Sequence, residues 1–463
     1  MKPAIVKIGV IVLMVACVLI SSAWFLGRQV DRATMTRWLH QWQHDGTSLS
    51  IELAEVIETW QGKQRSRTTE GRAQFVGREV EVSSVSGLLK AINTALPGDR
   101  ISVAPGEYLF SGRSIEVVRS GTATRPIILT AEHPWQTTFS FNLLEGLSVT
   151  ASDWHFDGLS IEGVCSQDSR CEHAFHIVGK AYRTRISNSR IVNFNAPIKI
   201  NGDSGHFPDG GLIENTYIGN TRARDTTKPV VGIDAVAVNH WLVRNNLIAN
   251  FKKTKGNHTS SGGFFKGAGG YNRFESNLVV CSERVAMEYI QIGLSLGNGG
   301  TSSSACRDGR CQFEQRDSDI TGNLIANCSD VGIYLNRASG STLTNNTLYS
   351  TLGIDVRFEA SNAIIANNLL SGRIKERDGG EVVLSNHNWT LPVDHLWRES
   401  FSDIFRAPER LNFSLIDSRV ERLDSFKNNQ LARDICGAPS NLEKGFIGAF
   451  NPVGSGDCLA VTQ

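Results

Sequence analysis

Five short stretches decide the fold: GIDAVAV (232–238), GGFFKGA (262–268), GLSLGNG (293–299), GIYLNRA (332–338) and GIDVRFE (353–359). A second piece recurs beside them: IENTYI (213–218), VRNNLI (243–248), FESNLV (274–279), ITGNLI (320–325), LTNNTL (343–348) and IANNLL (365–370). From each glycine to the next motif asparagine, four of the five distances are 14 or 15 residues, and the exception, Gly293 to Asn323, carries an insertion. Self-similarity at this period, built from β-branched segments that alternate without a 3.6-residue period, describes a solenoid of strands. The fold class is all-β, a right-handed parallel β-helix.

Alternation sorts the heptads into faces. Ile233, Phe265, Leu294, Leu296, Ile333, Leu335, Ile354 and Val356 point inward. Asp234, Phe264, Lys266, Ser295, Tyr334, Asn336, Asp355 and Arg357 point out along one stripe. Long connections precede three central heptads, and the 299–318 insertion leaves from the other edge. Two loop walls over a polar, aromatic and cationic floor suit a linear acidic sugar chain. Asn246, Asn277, Asn323, Asn346 and Asn368 recur at one corner as a structural amide ladder.

Outward from the repeat, the chain divides into four segments. Residues 1–28 hold Lys2, Lys7 and an apolar run from Ile8 to Leu26. They read as a signal-anchor, or as a signal peptide cleaved near Ser21-Ser22-Ala23. The body is then anchored to the inner membrane facing the periplasm or exterior, or is secreted. Residues 29–72 read as a helical stalk or linker, 73–380 as the β-helix, and 381–463 as a closing segment over the last coil. Within the third segment, residues 83–96 predict a capping helix with a hydroxyl N-cap. A net charge of +1 argues against nucleic acid as partner. Of the nine cysteines, eight pair as Cys165–Cys171, Cys281–Cys328, Cys306–Cys311 and Cys436–Cys458, as export to an oxidising compartment allows. Nothing in the sequence calls for an oligomer.

The runs LLKAINTALPGDRISVAPGEY (88–108), SGTATRPIILTAEHP (120–134), DWHFDGLSIEG (153–163) and SNSRIVNFNAP (187–197) resemble the chondroitinase B and alginate lyase family of polysaccharide lyases. The resemblance covers residues 85–285. It implies a parallel β-helix that cleaves uronate polysaccharides by β-elimination, with a strand lysine taking the C5 proton. FFKGAGGYNRFESNLVVC (264–281) matches that lysine's context and makes Lys266 the candidate base, its pKa lowered by burial or by cations such as Lys252, Lys253 and Lys255.

Two departures stand out. The calcium-binding acids implied by the family are replaced by HTSSGG (258–263), so no metal ligands are assigned and no cofactor is expected. The family's arginine position falls in GLSLGNG; Arg337, or Arg307, Arg310 or Arg316 of the insertion, are the substitutes, with Arg284 at a turn behind them. His258 is a candidate general acid, and Tyr334 a proton donor or sugar-stacking ring. Asp234, Phe264, Asn298, Arg316, Asn336, Asp355 and Arg357 are candidate substrate contacts. The reading is a lyase acting on an anionic polysaccharide; its rivals are a glycan-binding β-helix without chemistry, and hydrolysis by Asp355 with Glu359 or Asp234.

Overall fold

The computed structural model describes residues 52–68, 77–286, 288–391, 400–416, 434–438, 447–450 and 457–460. The apolar run at residues 8–26 and residues 29–51 lie outside them, and among the described residues no helix is long and apolar enough to cross a membrane.

The chain winds through three parallel sheets of 12, 10 and 11 strands, and each coil contributes one strand to each sheet in turn. The heptads are strands of the 10-stranded sheet, including Val230–Val236, Thr259–Lys266, Ile290–Leu296, Ile333–Asn336 and Gly353–Arg357. They stack in the register read from the sequence: Asp234 pairs with Phe264, Phe264 with Ser295, Ser295 with Tyr334, and Tyr334 with Asp355. Ile233, Phe265, Leu294, Leu335 and Val356 are wholly buried in one core that runs the length of the helix. The glycine that opens each heptad has a steric cause. A Cβ at Gly232, Gly262 or Gly293 would stand 2.4, 2.6 or 2.3 Å from a carbonyl oxygen of the next coil.

The predicted asparagine ladder runs coil to coil. Asn246, Asn277, Asn323, Asn346 and Asn368 each donate Nδ2 to the next Oδ1 at 2.9–3.0 Å, and Asn388 extends the file. Each amide also donates to a strand carbonyl, as Asn277 does to Val243 at 2.9 Å. The residue before each asparagine turns through positive φ, for example Asn245 (54°) and Ser276 (54°), which makes the tight corner between two sheets. The capping helix spans Val85–Asn93, with Ser84 Oγ accepting from Gly87 N and with Leu88, Ala91 and Ile92 closing the first coil. All four expected cysteine pairs are bonded, and Cys281 and Cys328 join neighbouring coils at a Cα separation of 5.0 Å.

Two readings of the flanks change. Part of the 29–72 stalk is the helix Leu53–Thr68, and it does not stand off the body: Leu53, Val56 and Trp60 are buried against it. The closing segment likewise packs on a side wall. Phe401, Phe405, Phe413 and Phe450 join the same cluster, with Tyr217, Leu247, Leu278, Leu324 and Tyr349. The cause lies in the 11-stranded sheet, whose short strands (Leu247–Ala249, Leu278–Val280, Leu324–Ala326) are buried on both faces. An apolar outer face needs a cover.

Because Asn277 is wholly buried and serves both neighbouring coils, Asn277→Ala strands several polar groups and is expected to cost about 3 kcal/mol. Urea denaturation measures it; a midpoint equal to that of the native chain would show that the ladder contributes nothing.

Candidate active site

Lys266 ends the strand Thr259–Lys266. Alternation turns its side chain outward, and Gly267, at φ 77°, takes the chain out of the sheet immediately after it. The insertion locks that corner: Gly267 N donates to Glu314 Oε2 at 3.0 Å, and Arg307 N donates to the Gly267 carbonyl at 2.9 Å. The ammonium lies 4.8 Å from the centroid of Phe264, a ring that is itself buried against Ala196 and Val231. Burial pushes the Lys266 pKa down and Lys199 adds to the shift, while Asp234 and Glu314 oppose it.

The cations expected to lower it stand elsewhere. Lys252, Lys253 and Lys255 precede the strand, and Lys266 ends it. Lys252 sits 4.6 Å over the Tyr289 ring, Lys253 donates to Asn257, and Lys255 pairs with Asp225. His258 shares that far end, with Nδ1 3.4 Å from the Glu288 carbonyl. Eight strand positions, roughly 26 Å, separate it from Lys266. It is not placed to act as acid for a bond that Lys266 attacks.

The C-terminal part of the stripe is roofed. Ser295 is wholly buried and donates to the Tyr334 carbonyl at 3.0 Å. Tyr334 and Asn336 are 8% and 7% exposed, and Asn336 Nδ2 donates to the Tyr334 hydroxyl at 3.0 Å. Asp355 is bound by Arg377 of the next coil at 2.9 Å, and Arg357 by Asp378 at 2.5 Å. Arg337 is exposed but packs 5.6 Å from the Phe358 ring, two coils after Lys266. Arg307 is held bidentate by Asp209 at 2.8 Å and stacks 4.5 Å over Phe207. Arg316 is exposed in a three-stranded side sheet with Gly270 and Ser339. Asn298 is half-buried where the insertion leaves the strand. These residues do not meet at one bond, and a hydrolytic pair of Asp355 with Asp234 is four strands apart in the sheet.

The polar groups that do gather near Lys266 lie on the preceding coils. Register places His176 beside Lys199, Lys199 beside Asp234, and Val236 beside Lys266. Lys199 Nζ is 2.9 Å from Asp234 Oδ1. His176 lies between Glu145 Oε2 at 3.1 Å and Asn201 Oδ1 at 2.8 Å. Burial works against charge on His176, but those two bonds outweigh it and its pKa is raised; the same contact lowers that of Glu145. The neighbouring His173, its Nδ1 2.7 Å from the Ala196 carbonyl, is pushed down by burial. The sequence held the signal. HAFHIV (173–178) and IKIN (198–201) alternate like the heptads, and aligning them two coils earlier sets His176 and Lys199 in the file of Asp234.

Among the described residues there is no group of three or more His, Cys, Asp or Glu side chains arranged to hold a metal ion. The region before Lys266 presents amines, an imidazole and the carboxylates paired with them, groups able to carry protons and to pair with anions.

Among solved structures, a rhamnogalacturonan lyase aligns with 83% of this chain and 100% of its own, with a TM-score of 0.50 and 13% identity. The likeness is one of fold. A PL6 family polysaccharide lyase from Pseudopedobacter saltans covers 70% of this chain and 97% of its own at TM-score 0.37 and 15% identity. A pectate lyase, Pel9A, covers 81% and 90% at TM-score 0.39 and 15% identity. No protein-family model matches the chain, and a search of curated proteins finds no match.

The lowered Lys266 pKa is open to measurement. Acylation with acetic anhydride across a pH series, read by mass spectrometry, is expected to reach half-completion at Lys266 at a lower pH than at the exposed Lys90 and Lys180. Asp234→Asn should move the Lys266 midpoint lower still, because Asp234 favours the ammonium. A midpoint shared with the exposed lysines would contradict the effect of burial.

Proposed function

We propose that this chain is a polysaccharide lyase that cleaves an acidic, uronate-containing polysaccharide by β-elimination, with Lys266 as base. One observation carries the reading: a lysine at an open strand end, resting on a buried aromatic ring and pushed toward its neutral form by burial. A neutral amine accepts a proton and an ammonium does not. Lys266 takes the C5 proton, the electron pair forms the C4–C5 double bond, and the C4–O bond breaks. The departing oxygen takes a proton from an acid or from water, and Lys266 returns its own to solvent. The fold supports the class, since a rhamnogalacturonan lyase shares it; a choice among alginate, chondroitin and pectic polymers rests on the groove residues. Export is part of the proposal. The 8–26 apolar run and four disulfides fit a body in the periplasm or outside, anchored or released.

A second reading, a glycan-binding β-helix without turnover, is favoured by the commitment of Arg307 to Asp209, Arg357 to Asp378 and Arg337 to Phe358. Incubation of the full chain with alginate, pectate, rhamnogalacturonan, chondroitin and dermatan separates the two. The lyase reading expects unsaturated-product absorbance from at least one polymer, and a loss of at least about 100-fold in Lys266→Ala. Turnover that survives Lys266→Ala would remove Lys266 from the chemistry, and binding without absorbance would favour the second reading.

A further inference from the structure

Abstraction of a proton beside a carboxylate builds negative charge on that carboxylate, so a lyase needs a cation there as well as a base. Of the arginines that the sequence offers for this, Arg307 is held by Asp209, Arg337 packs on Phe358 and Arg316 lies in the side sheet. On the coils before Lys266, however, the outward file holds Lys199 and His176, each with a carboxylate of its own. Their side chains are 21% and 24% exposed, open enough to meet a ligand and too enclosed to be freely solvated.

We propose that Lys199, held in place by Asp234, is the binding group for a uronate carboxylate, and that His176 is a fixed positive charge supporting the next sugar toward the N-terminus. The proposal rests on the lyase reading for the role of Lys266, and on geometry for the rest. Lys199 lies two strands before Lys266 and two residues back along the strand, in line with Phe264, which sets the two backbone positions about 12 Å apart. Lys199 is ion-paired to Asp234, which stands on the strand next to that of Lys266. A C5–C6 carboxylate unit, in reach of a base at C5 and of an ammonium at its oxygens, spans roughly 8 Å. Lys199 gives one N–H to Asp234 and has two more for the ligand. Asp234 is a positioning residue, since it keeps the long lysine chain in one place.

His176 acts at a distance. Asn201 Nδ2 donates to the Gly202 carbonyl at 3.0 Å, which turns the amide oxygen toward the ring. Nε2 must then carry a proton, and Nδ1 carries one toward Glu145. Both N–H groups are used, so the imidazolium contributes its charge and no direct bond. The charged and titratable groups around it are Glu145 on the preceding strand, Lys199 on the following strand, with Asp234 beyond it, and Glu172 and His173 on its own segment. Adjacent strands are about 4.8 Å apart, close to the length of one sugar in an extended chain, so the sugar beyond the one held by Lys199 reaches the coil of His176.

The test is calorimetric binding of de-esterified oligogalacturonate and oligomannuronate, with the methyl-esterified oligogalacturonate as neutral control, to the full chain and to Lys199→Gln, His176→Gln and Lys266→Ala. The proposal expects at least one free-acid probe to bind more tightly than the ester. It expects Lys199→Gln to weaken free-acid binding about 10-fold or more and leave ester binding unchanged, Lys199→Arg to restore part of it, and Lys266→Ala to bind nearly as well as the native chain. Free-acid affinity should fall as pH rises through the raised His176 pKa, and His176→Gln should remove that step. Equal binding of acid and ester, no binding of any probe, or an unchanged Lys199→Gln overturns it. Product absorbance is read separately: turnover that is indifferent to Lys199→Gln sinks this inference and spares the lyase reading. Carboxylate binding through Lys199 without turnover sinks the lyase reading and spares this one.

Discussion

Everything in this molecule depends on one coil lying in register on the next. Parallel pairing carries the same sequence position up the helix at a fixed spacing, so one residue's environment is set by its counterpart one turn away. The asparagine file shows how strictly this holds: each buried amide is satisfied only by the amide above and below it and by a strand carbonyl. A slip of one residue would leave these groups unpaired in the core and would turn every inward side chain outward. Four of the five heptad glycines, Gly232, Gly262, Gly293 and Gly353, impose the same register by sterics, because a side chain there meets a carbonyl of the next turn.

That register converts sequence spacing into a surface. Residues 20–30 apart become neighbours, and Glu145, His176, Lys199, Asp234 and Lys266 fall on one side of one sheet although 121 positions separate the first from the last. The surface is not uniform. The insertion between Gly297 and Asp319 reaches back to Gly267 and Asp209 through Arg307 and stands against Asn336 at Gly299, while Tyr334 packs with Ile292 and Val331 and Asp355 is bound by Arg377 of the next coil, so all three are enclosed. Toward the N-terminus the same file stays partly open. The division falls at Lys266, which the insertion grips through Glu314 and Arg307 at the following glycine.

The outer surfaces of the three sheets differ in use. The 11-stranded sheet is apolar outside as well as inside, and is covered by the helix Leu53–Thr68 and by aromatic residues of the C-terminal segment. The helix therefore belongs to the folded body, and the segment beyond residue 400 reinforces a wall. The 10-stranded sheet carries the polar file. A solenoid has few long-range contacts beyond neighbouring turns, and these two covers supply some of them, whereas the disulfide between Cys281 and Cys328 ties adjacent turns.

The local pattern in the chain was sufficient for the solenoid, its inward and outward faces, the asparagine corner, the capping helix at Val85–Asn93 and the cysteine pairs. Each of these follows from periodicity and from interactions between neighbouring turns. It also singled out Lys266 as the outward lysine at a strand end. It was insufficient for the company Lys266 keeps. Loops of variable length have no period, so nothing local announced that Tyr334 and Asn336 would be buried, that the insertion would tie Arg307 to Asp209, or that His258 would lie at the far end of the strand. Lys199 and His176 escaped because their coils are less similar to the repeat, and only the stacked register sets them beside Asp234. Alternation is a property of neighbours along the chain, whereas burial and charge pairing are properties of neighbours in space; the tertiary structure alone decides the second.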